Sequence, residues 1–317
     1  MCDGDLAVDA LTISCASCGS RYPVDDSVPL LFVGHDAEGK PDVTDTIKSF
    51  YEETPFPNYD DMDDADSLAR KAGKSFFAQM LNTEIPPSAK VLEVGCGTGQ
   101  LTNYLGIAGR TVFGADMTLN ALKLGQAFKE KNGLAEVGFY QMNLFRPIFK
   151  DESFDLVICN GVLHHTGDPE GGFRSIARLV KRGGFILIGL YNTYGRLATD
   201  ARRTIFSLTR GRASFLDPYL ARADVAAVKK KAWFNDQYKN PHESKHTMGE
   251  AIRWFDAAGF DFVSGIPSPT GEPFTRNFRL FAPHSRGTVM SRFFAEMRFI
   301  ASGNREGGLF TMVARRR

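Results

Sequence analysis

The chain has 317 residues, 43% of them hydrophobic, and a formal net charge of +1. That length allows one large domain with appendages or two domains, and the apolar content suffices for a full core. The near-neutral charge excludes the broad basic field of many nucleic-acid binders, and no apolar run reaches the ~18 residues of a membrane span.

No secretory leader is visible. The five cysteines, Cys2, Cys15, Cys18, Cys96 and Cys159, are odd in number and suit a reducing compartment, so a cytoplasmic location is expected. Residues 1–35 differ in character from the rest of the chain. Cys15-Ala16-Ser17-Cys18-Gly19 is a C-x-x-C knuckle, followed by Arg21-Tyr22-Pro23-Val24 and Val28-Pro29-Leu30-Leu31-Phe32. The pattern resembles part of a small zinc ribbon. A structural zinc takes four sulfur or nitrogen ligands, and the candidates here are Cys2, Cys15 and Cys18. Either the chain begins inside the ribbon or the site is degenerate. A metal-free remnant folded against the main domain is the expected outcome, with zinc binding as the alternative. A redox C-x-x-C would need a thioredoxin-like βαβ context, which is absent.

Residues 36–89 read as a linker and a lid. Gly34 to Thr46 is polar and turn-rich. Ile47 to Asp60 interleaves aromatics with prolines, which predicts an ordered lid, with Tyr51 and Phe56 as candidates for a pocket lining. Asp60, Asp61, Asp63, Asp64 and Asp66 lack the glycine and the final Glu of a calcium loop, so a solvated loop or helix start is expected. Ser67 to Leu81 has helical periodicity and leads through Pro86-Pro87 into a strand.

Residues 90–317 carry the stretch around which the rest is organised. Val91-Leu92-Glu93-Val94-Gly95-Cys96-Gly97-Thr98-Gly99-Gln100-Leu101 is a strand, a tight turn and a helix start. Three glycines at every second position let backbone approach a ligand and take positive φ, and the helix N-terminus presents unpaired N–H groups. Dinucleotide folds place the third glycine one residue later, and a phosphate loop needs Lys-Ser/Thr after the glycines, so neither pattern fits. Thr111 to Asp116 is a short strand ending in Asp116, 21 residues after Gly95, close to the ~20 expected of a ribose carboxylate. Thr118 is a candidate N-cap for the next helix. Val137 to Leu144 reads as a third strand, Phe154 to His165 as a fourth, and Lys181-Arg182-Gly183-Gly184 turns into a fifth.

In order and spacing, these five motifs resemble those of class I S-adenosylmethionine-dependent methyltransferases, over roughly Phe50 to the C-terminus. The ribbon-like module resembles one that precedes some bacterial members, and Phe50 to Tyr59 is similar to a segment that closes over the cofactor in others. The resemblance implies an α/β, Rossmann-like, doubly wound seven-stranded sheet with an antiparallel last strand. It implies S-adenosylmethionine as cofactor. Glu93, Gly95, Gly97 and Gly99 would hold its methionine part with Asn160 nearby, Asp116 its ribose, and Met117, Asn143 and Leu144 its adenine.

Residues 191–247 interrupt the core pattern after strand five, where ligand pockets of this fold are built. Tyr191 opens the segment. It is locally basic, with Arg196, Arg202, Arg203, Arg210, Arg212, Arg222 and Lys229 to Lys231, which suits solvated helix faces or an anionic partner. Asp236, Tyr238, His242, Glu243 and His246 cluster at its end. His165, Asp236, His242 and His246 are the candidate proton acceptors, with Asp168 near them, and Tyr51, Phe56, Tyr191 and Tyr238 the candidate substrate or lid residues. His242-Glu243-Ser244-Lys245-His246 fits H-E-x-x-H, and on a helix both histidines would share a face, but the methyltransferase context argues against protease chemistry. Thr247 is expected to cap the next helix and Gly259 to end it. Phe260 to Val263 is strand six and Gly308 to Ala314 strand seven. Between them, Phe274, Phe278, Phe281, Phe293, Phe294 and Phe299 either extend the pocket wall or form a homodimer contact.

The expected function is methyl transfer to an O, N or C centre of a small-molecule acceptor by in-line displacement. The competing readings are a ribosomal or transfer RNA methyltransferase and a catalytically silent cofactor-binding module. Neutral charge and the absence of an Asn/Asp-Pro-Pro-Tyr signature at Asn160-Gly161-Val162-Leu163 argue against the first.

Overall fold

Alternating apolar and polar residues set up a small sheet before the main fold begins. In the computed structural model, residues 4–9, 11–35, 42–53, 55, 59, 64–273, 275, 277–301 and 308–317 are described. Strands β1 (Leu6–Val8), β2 (Thr12–Cys15), β3 (Arg21–Asp25) and β4 (Val28–Pro29) form an antiparallel sheet in sequence order. The knuckle joins β2 to β3, with Cys15 buried and Cys18 exposed. Cys2 lies outside the described residues, and no group of three potential metal ligands occurs among the described ones. Two placed thiols fall short of a four-ligand zinc site. Metal analysis of purified protein should find well under one zinc per chain, and stoichiometric zinc would contradict the degenerate-ribbon reading.

The segment expected to be a lid contributes α1 (Thr44–Glu53), followed by α2 (Ala65–Ala72) and α3 (Phe76–Glu84). The single helix expected over Ser67 to Leu81 is thus two. Ser75 breaks it, its side chain accepting from Ala78 N at 3.3 Å to start α3 afresh. Asp64 and Ser67 cap α2 reciprocally, so this part of the acidic run is a helix start. Phe56 and Asp60 to Asp63 lie outside the described residues.

The motif strands come next: β5 (Lys90–Val94), α4 (Gln100–Ile107), β6 (Thr111–Asp116), α5 (Leu119–Lys131), β7 (Val137–Gln141), β8 (Phe154–Asn160), α6 (Pro169–Ala177) and β9 (Val180–Tyr191). The insertion supplies α7 (Leu197–Leu208), α8 (Ala227–Phe234) and a π turn at Asn235–Lys239. Then come α9 (Met248–Ala257), β10 (Phe260–Ile266), α10 (Val289–Ala301) and β11 (Leu309–Arg316). The large sheet has the order β10-β11-β9-β8-β5-β6-β7, parallel from β7 to β9, with β11 antiparallel to both neighbours. Strand order reverses direction between β5 and β8, and that switch opens a crevice at the strands' carboxyl ends. Fully buried Leu92, Val157, Ile188 and Phe173 fill one face of the sheet, and Val91, Leu105, Ile158 and Leu187 the other. Thr247 and Glu250 form a capping box on α9, and Gly259 takes φ +80° just past its end, both as expected.

The small sheet is joined to the large one at β7. Leu30 bridges Gln141 in parallel, Leu31 N donates to Gln141 O at 3.1 Å, and Asn143 Nδ2 donates to Val33 O at 2.9 Å. Of the late phenylalanines, Phe278, Phe281 and Phe299 pack on the core, while Phe293 and Phe294 on α10 remain exposed. Phe274 lies outside the described residues. No helix among the described residues is long and apolar enough to cross a membrane.

Candidate active site

The glycine turn leaves β5 with φ of +71°, +54° and +72° at Gly95, Gly97 and Gly99. Two of these positions exclude any side chain on packing grounds as well. A Cβ on Gly95 would lie 2.3 Å from Val162 Cγ2, and one on Gly99 2.3 Å from Phe139 Cε1. Asp116, at the end of β6, ties the turn down. Its Oδ2 accepts from Gly97 N at 2.8 Å, and its Oδ1 accepts from Thr118 N and Oγ1 at 2.9 and 2.7 Å. Burial raises the Asp116 pKa, against the lowering effect of these bonds.

Thr118 stands at the N-cap position of α5, but its hydroxyl is engaged by Asp116. Glu52 of α1 caps the helix instead, accepting from Leu119 N at 2.8 Å and Asn120 N at 3.0 Å. Sequence reasoning missed this contact, which fastens α1 to α5. Glu93 is buried beside the turn and accepts from Thr102 Oγ1. Burial foremost, with the nearby Asp116 charge adding to it, raises its pKa to about 7.

Glu93, Gly95, Gly97, Asp116 and Thr118 border a cavity of about 590 Å³, which Met117, Asn143, Leu144 and Asn160 also line, whereas Gly99 does not reach it. Asn143 has its polar atoms engaged by protein: Nδ2 donates to Val33 O and to His35 Nδ1 at 3.2 Å, and Oδ1 accepts from Phe145 N at 3.0 Å. Asn160 Oδ1 accepts from Thr311 Oγ1 at 3.3 Å. The positive-φ glycines, the absence of room for Cβ atoms and the carboxylates Glu93 and Asp116 together fit S-adenosylmethionine.

The same cavity extends to a second group of residues, Tyr51, His165, Tyr191, Asp236 and Gln237. Tyr51 Oη donates to Asp236 Oδ1 at 2.9 Å and accepts from Asn240 Nδ2 at 2.9 Å. Gln237 Nε2 donates to Asp236 Oδ2 at 2.8 Å and to Tyr191 Oη at 3.0 Å. His165 Nδ1 donates to the His242 carbonyl at 2.9 Å. Burial lowers the His165 pKa, with Asp236 opposing, so the ring is neutral at pH 7. Burial also raises the pKa of Tyr51 and Tyr191, with the Asp236 charge reinforcing it. The neighbouring His164 is fully buried with neither ring nitrogen hydrogen-bonded, and stacks on Tyr191 at 3.8 Å between centroids.

Other sequence candidates lie elsewhere. His242 and His246 are on an extended segment, not a shared helix face, and neither lines the cavity. His242 Nε2 donates to Thr166 O at 3.1 Å, and His246 pairs with Ser244 Oγ at 2.9 Å and packs on Trp254. Between them, Glu243 is ion-paired to Arg196 and Arg203, so H-E-x-x-H here is a salt-bridge site. Tyr238 does not line the cavity; its hydroxyl donates to Asp217 and accepts from Arg202 Nη1 at 3.1 Å. Asp168 caps α6, accepting from Gly171 N at 3.1 Å. Much of the insertion's basic charge is neutralised within the fold, by Arg196–Glu243, Arg202–Asp217, Arg203–Glu243 and Arg222–Asp224 pairs.

Comparison with known proteins bears on the domain and the fold. Residues 92–188 match the family model described as a methyltransferase domain. An uncharacterized protein of Synechococcus sp. is 25% identical over 228 residues, covering 64% of this chain and 53% of that one. The ubiquinone biosynthesis O-methyltransferase of Paracidovorax citrulli is 33% identical over 106 residues, covering 32% of this chain and 44% of that one. The chain thus spans about half the length of these curated relatives. The structure of PKMT2 from Rickettsia typhi in complex with AdoHcy shares the fold, with a TM-score of 0.52 at 14% identity over 72% of this chain and 48% of that one. Residues 92–188 thus match a methyltransferase domain, and the seven-stranded fold around them is shared with the AdoHcy-bound PKMT2.

Proposed function

We propose that the protein transfers a methyl group from S-adenosylmethionine to a small-molecule acceptor. The observation that carries this reading is that the glycine turn with Asp116 and the polar group around His165 open on one cavity of about 590 Å³. The O-methyltransferase relative, named for ubiquinone biosynthesis, supports a small acceptor. The cofactor, when bound, supplies an electrophilic methyl group on a sulfonium. The protein's part is positioning, exclusion of water and acceptance of a proton. Glu93 and the turn backbone hold the methionine part, Asp116 the ribose hydroxyls, and Met117 and Leu144 the adenine. Helix α1, pinned to α5 through Glu52, closes the site. His165 Nε2 is the proton acceptor, with Asp236 opposite to stabilise the imidazolium.

Calorimetric titration with S-adenosylmethionine and, in parallel, NAD tests this. Micromolar binding of the first alone is expected, and binding of NAD, or of neither, would overturn the reading. Release of S-adenosylhomocysteine in the presence of an acceptor separates transfer from silent binding.

Two further results are expected in the same titrations. Asp116→Ala removes charge-assisted bonds and should weaken cofactor binding by roughly 1.5–3 kcal/mol; unchanged affinity would contradict the ribose assignment. Glu93 holds its proton up to about pH 7 in the empty site, and an ammonium group beside it favours the carboxylate. Affinity should therefore rise as that proton leaves, roughly fivefold between pH 6 and 7.5, and Glu93→Gln should flatten the dependence. A flat profile in the parent protein would remove Glu93 from the methionine contact.

A further inference from the structure

The inner end of the cavity carries a hydrogen-bond pattern whose direction is set from behind, by a side chain that never reaches the cavity. Arg196 is fully buried, lies 3.9 Å from the centre of the Tyr191 ring, and donates through Nη1 to Gln237 Oε1 at 2.6 Å. A guanidinium has no acceptor. Gln237 Oε1 must therefore face Arg196, and its Nε2 must donate in both of its own contacts, to Asp236 Oδ2 and Tyr191 Oη. Tyr191 Oη then accepts from Gln237, and its own hydrogen is left for the cavity that it lines. Beside Tyr191, the His242 carbonyl can only accept, so His165 carries its proton on Nδ1. Nε2 is left as a bare lone pair. The only hydrogen bond of this ring among the described residues is the one at Nδ1, although the residue is only 6% exposed. The two rings stand perpendicular, with centroids 5.7 Å apart. The remaining side chain, Asp236, stays an acceptor, since both its oxygens receive hydrogens.

We propose that this end of the cavity selects a neutral hydroxyl as the methyl acceptor, its hydrogen donated to His165 Nε2 and one of its lone pairs accepting from Tyr191 Oη. The inference rests on the methyltransferase reading above and narrows its acceptor atom. A hydroxyl both donates and accepts at one atom. An ammonium only donates and would leave the Tyr191 hydrogen unpaired. A carboxylate only accepts, leaves His165 without a donor and meets the Asp236 charge. Arg196 offers no counter-charge to an anion, because Glu243 neutralises it behind the ring. A site built to pair a hydroxyl discriminates strongly against groups that leave its buried atoms unpaired. In the transfer, the acceptor oxygen–carbon bond forms as the sulfur–carbon bond breaks, and that bond's electron pair stays on sulfur to give S-adenosylhomocysteine. The hydroxyl proton passes to His165 Nε2 and then to solvent.

The test uses the full-length protein saturated with S-adenosylhomocysteine. Para-propylphenol, para-propylbenzylamine and para-propylbenzoate are titrated by ligand-observed NMR. The phenol should bind at least ~10-fold more tightly than the other two, and Tyr191→Phe should remove most of that preference while leaving S-adenosylhomocysteine binding unchanged. Nitrogen NMR of histidine-labelled protein should show the His165 ring at pH 7 as the Nδ1–H tautomer with a bare Nε2. Equal or tighter binding of the amine or carboxylate, binding of none of the three, or the opposite tautomer would overturn the proposal. Failure of S-adenosylhomocysteine itself to bind would instead overturn the methyltransferase reading.

Discussion

Replacing Gly99 by alanine is expected to cost roughly 2–4 kcal/mol of stability, the sum of a strained backbone and an overfilled contact. Residue 99 has φ +72°, and a Cβ there would stand 2.3 Å from Phe139 Cε1 and 2.5 Å from its Cζ. Phe139 cannot yield, because it is 2% exposed and its ring sits in a socket with three glycine walls. A Cβ on Gly114 would come within 2.8 Å of the same ring, and one on Gly125 within 2.9 Å. The third glycine of the turn therefore serves side-chain packing as much as ligand approach. Urea unfolding of Gly99→Ala measures the loss. Phe139→Leu in the same chain should recover about 1 kcal/mol relative to additivity, because the smaller side chain vacates the contested space. A loss under about 0.5 kcal/mol, or strict additivity, would contradict this account.

The second large effect concerns the buried charge behind the cavity. Arg196→Met should destabilise the fold by about 3–5 kcal/mol at pH 7, since it leaves a buried carboxylate short of its main partner. Arg196 and Glu243 have side-chain exposures of 0% and 2%, and the remaining partner, Arg203, is partly in solvent. Burial pushes the Glu243 pKa up, but the Arg196 hydrogen bond and charge, followed by those of Arg203, outweigh it and hold the pKa below its ordinary value. A carboxyl with a depressed folded pKa contributes stability above its unfolded value of about 4.5, and that contribution fades as pH falls through the folded value. Without Arg196, burial dominates and the sign reverses, so acid lets Glu243 shed an uncompensated charge. The stability gap between the parent protein and Arg196→Met should therefore start to narrow above pH 4.5, where Glu243 of the folded variant takes up its proton, and go on narrowing below 4.5 as the parent loses its own contribution. A gap that widens or stays constant would rule out Glu243 as the source of the loss.

The parts of this molecule governed by local chain geometry were legible in advance. Strand-turn-helix units announce themselves through apolar runs and glycines, so Gly95, Gly97 and Asp116 line one cavity, while Gly99 packs on Phe139 outside its lining. Thr247 and Gly259 bound α9 because caps are local signals. What escaped was set by contacts distant in sequence. Glu52 reaches 67 residues ahead to cap α5, and Arg196 orients Gln237 across 41 residues. No periodicity encodes such pairings. His242, His246 and Tyr238 drew notice for their chemistry, yet they bond to Thr166, Ser244 and Asp217 respectively as internal support. The same composition that marks a reactive pocket also marks a buried polar network, and only placement separates them. The helix expected across Ser67 to Leu81 failed for the opposite reason. Periodicity was right on both sides, but a single serine cap outweighed continuity.

The run from Leu30 to Val33 has a consequence for shortened forms of the protein. It lies along β7, the last strand of the parallel array, and takes up main-chain and side-chain groups there. A bare outer strand is adhesive, since its unmatched amides can recruit another chain's backbone. Removing residues 1–35 would therefore strip a guard rail from the rim of the sheet as well as an appendage from its surface. Such a form should self-associate in proportion to its concentration even where it keeps its helices and sheet.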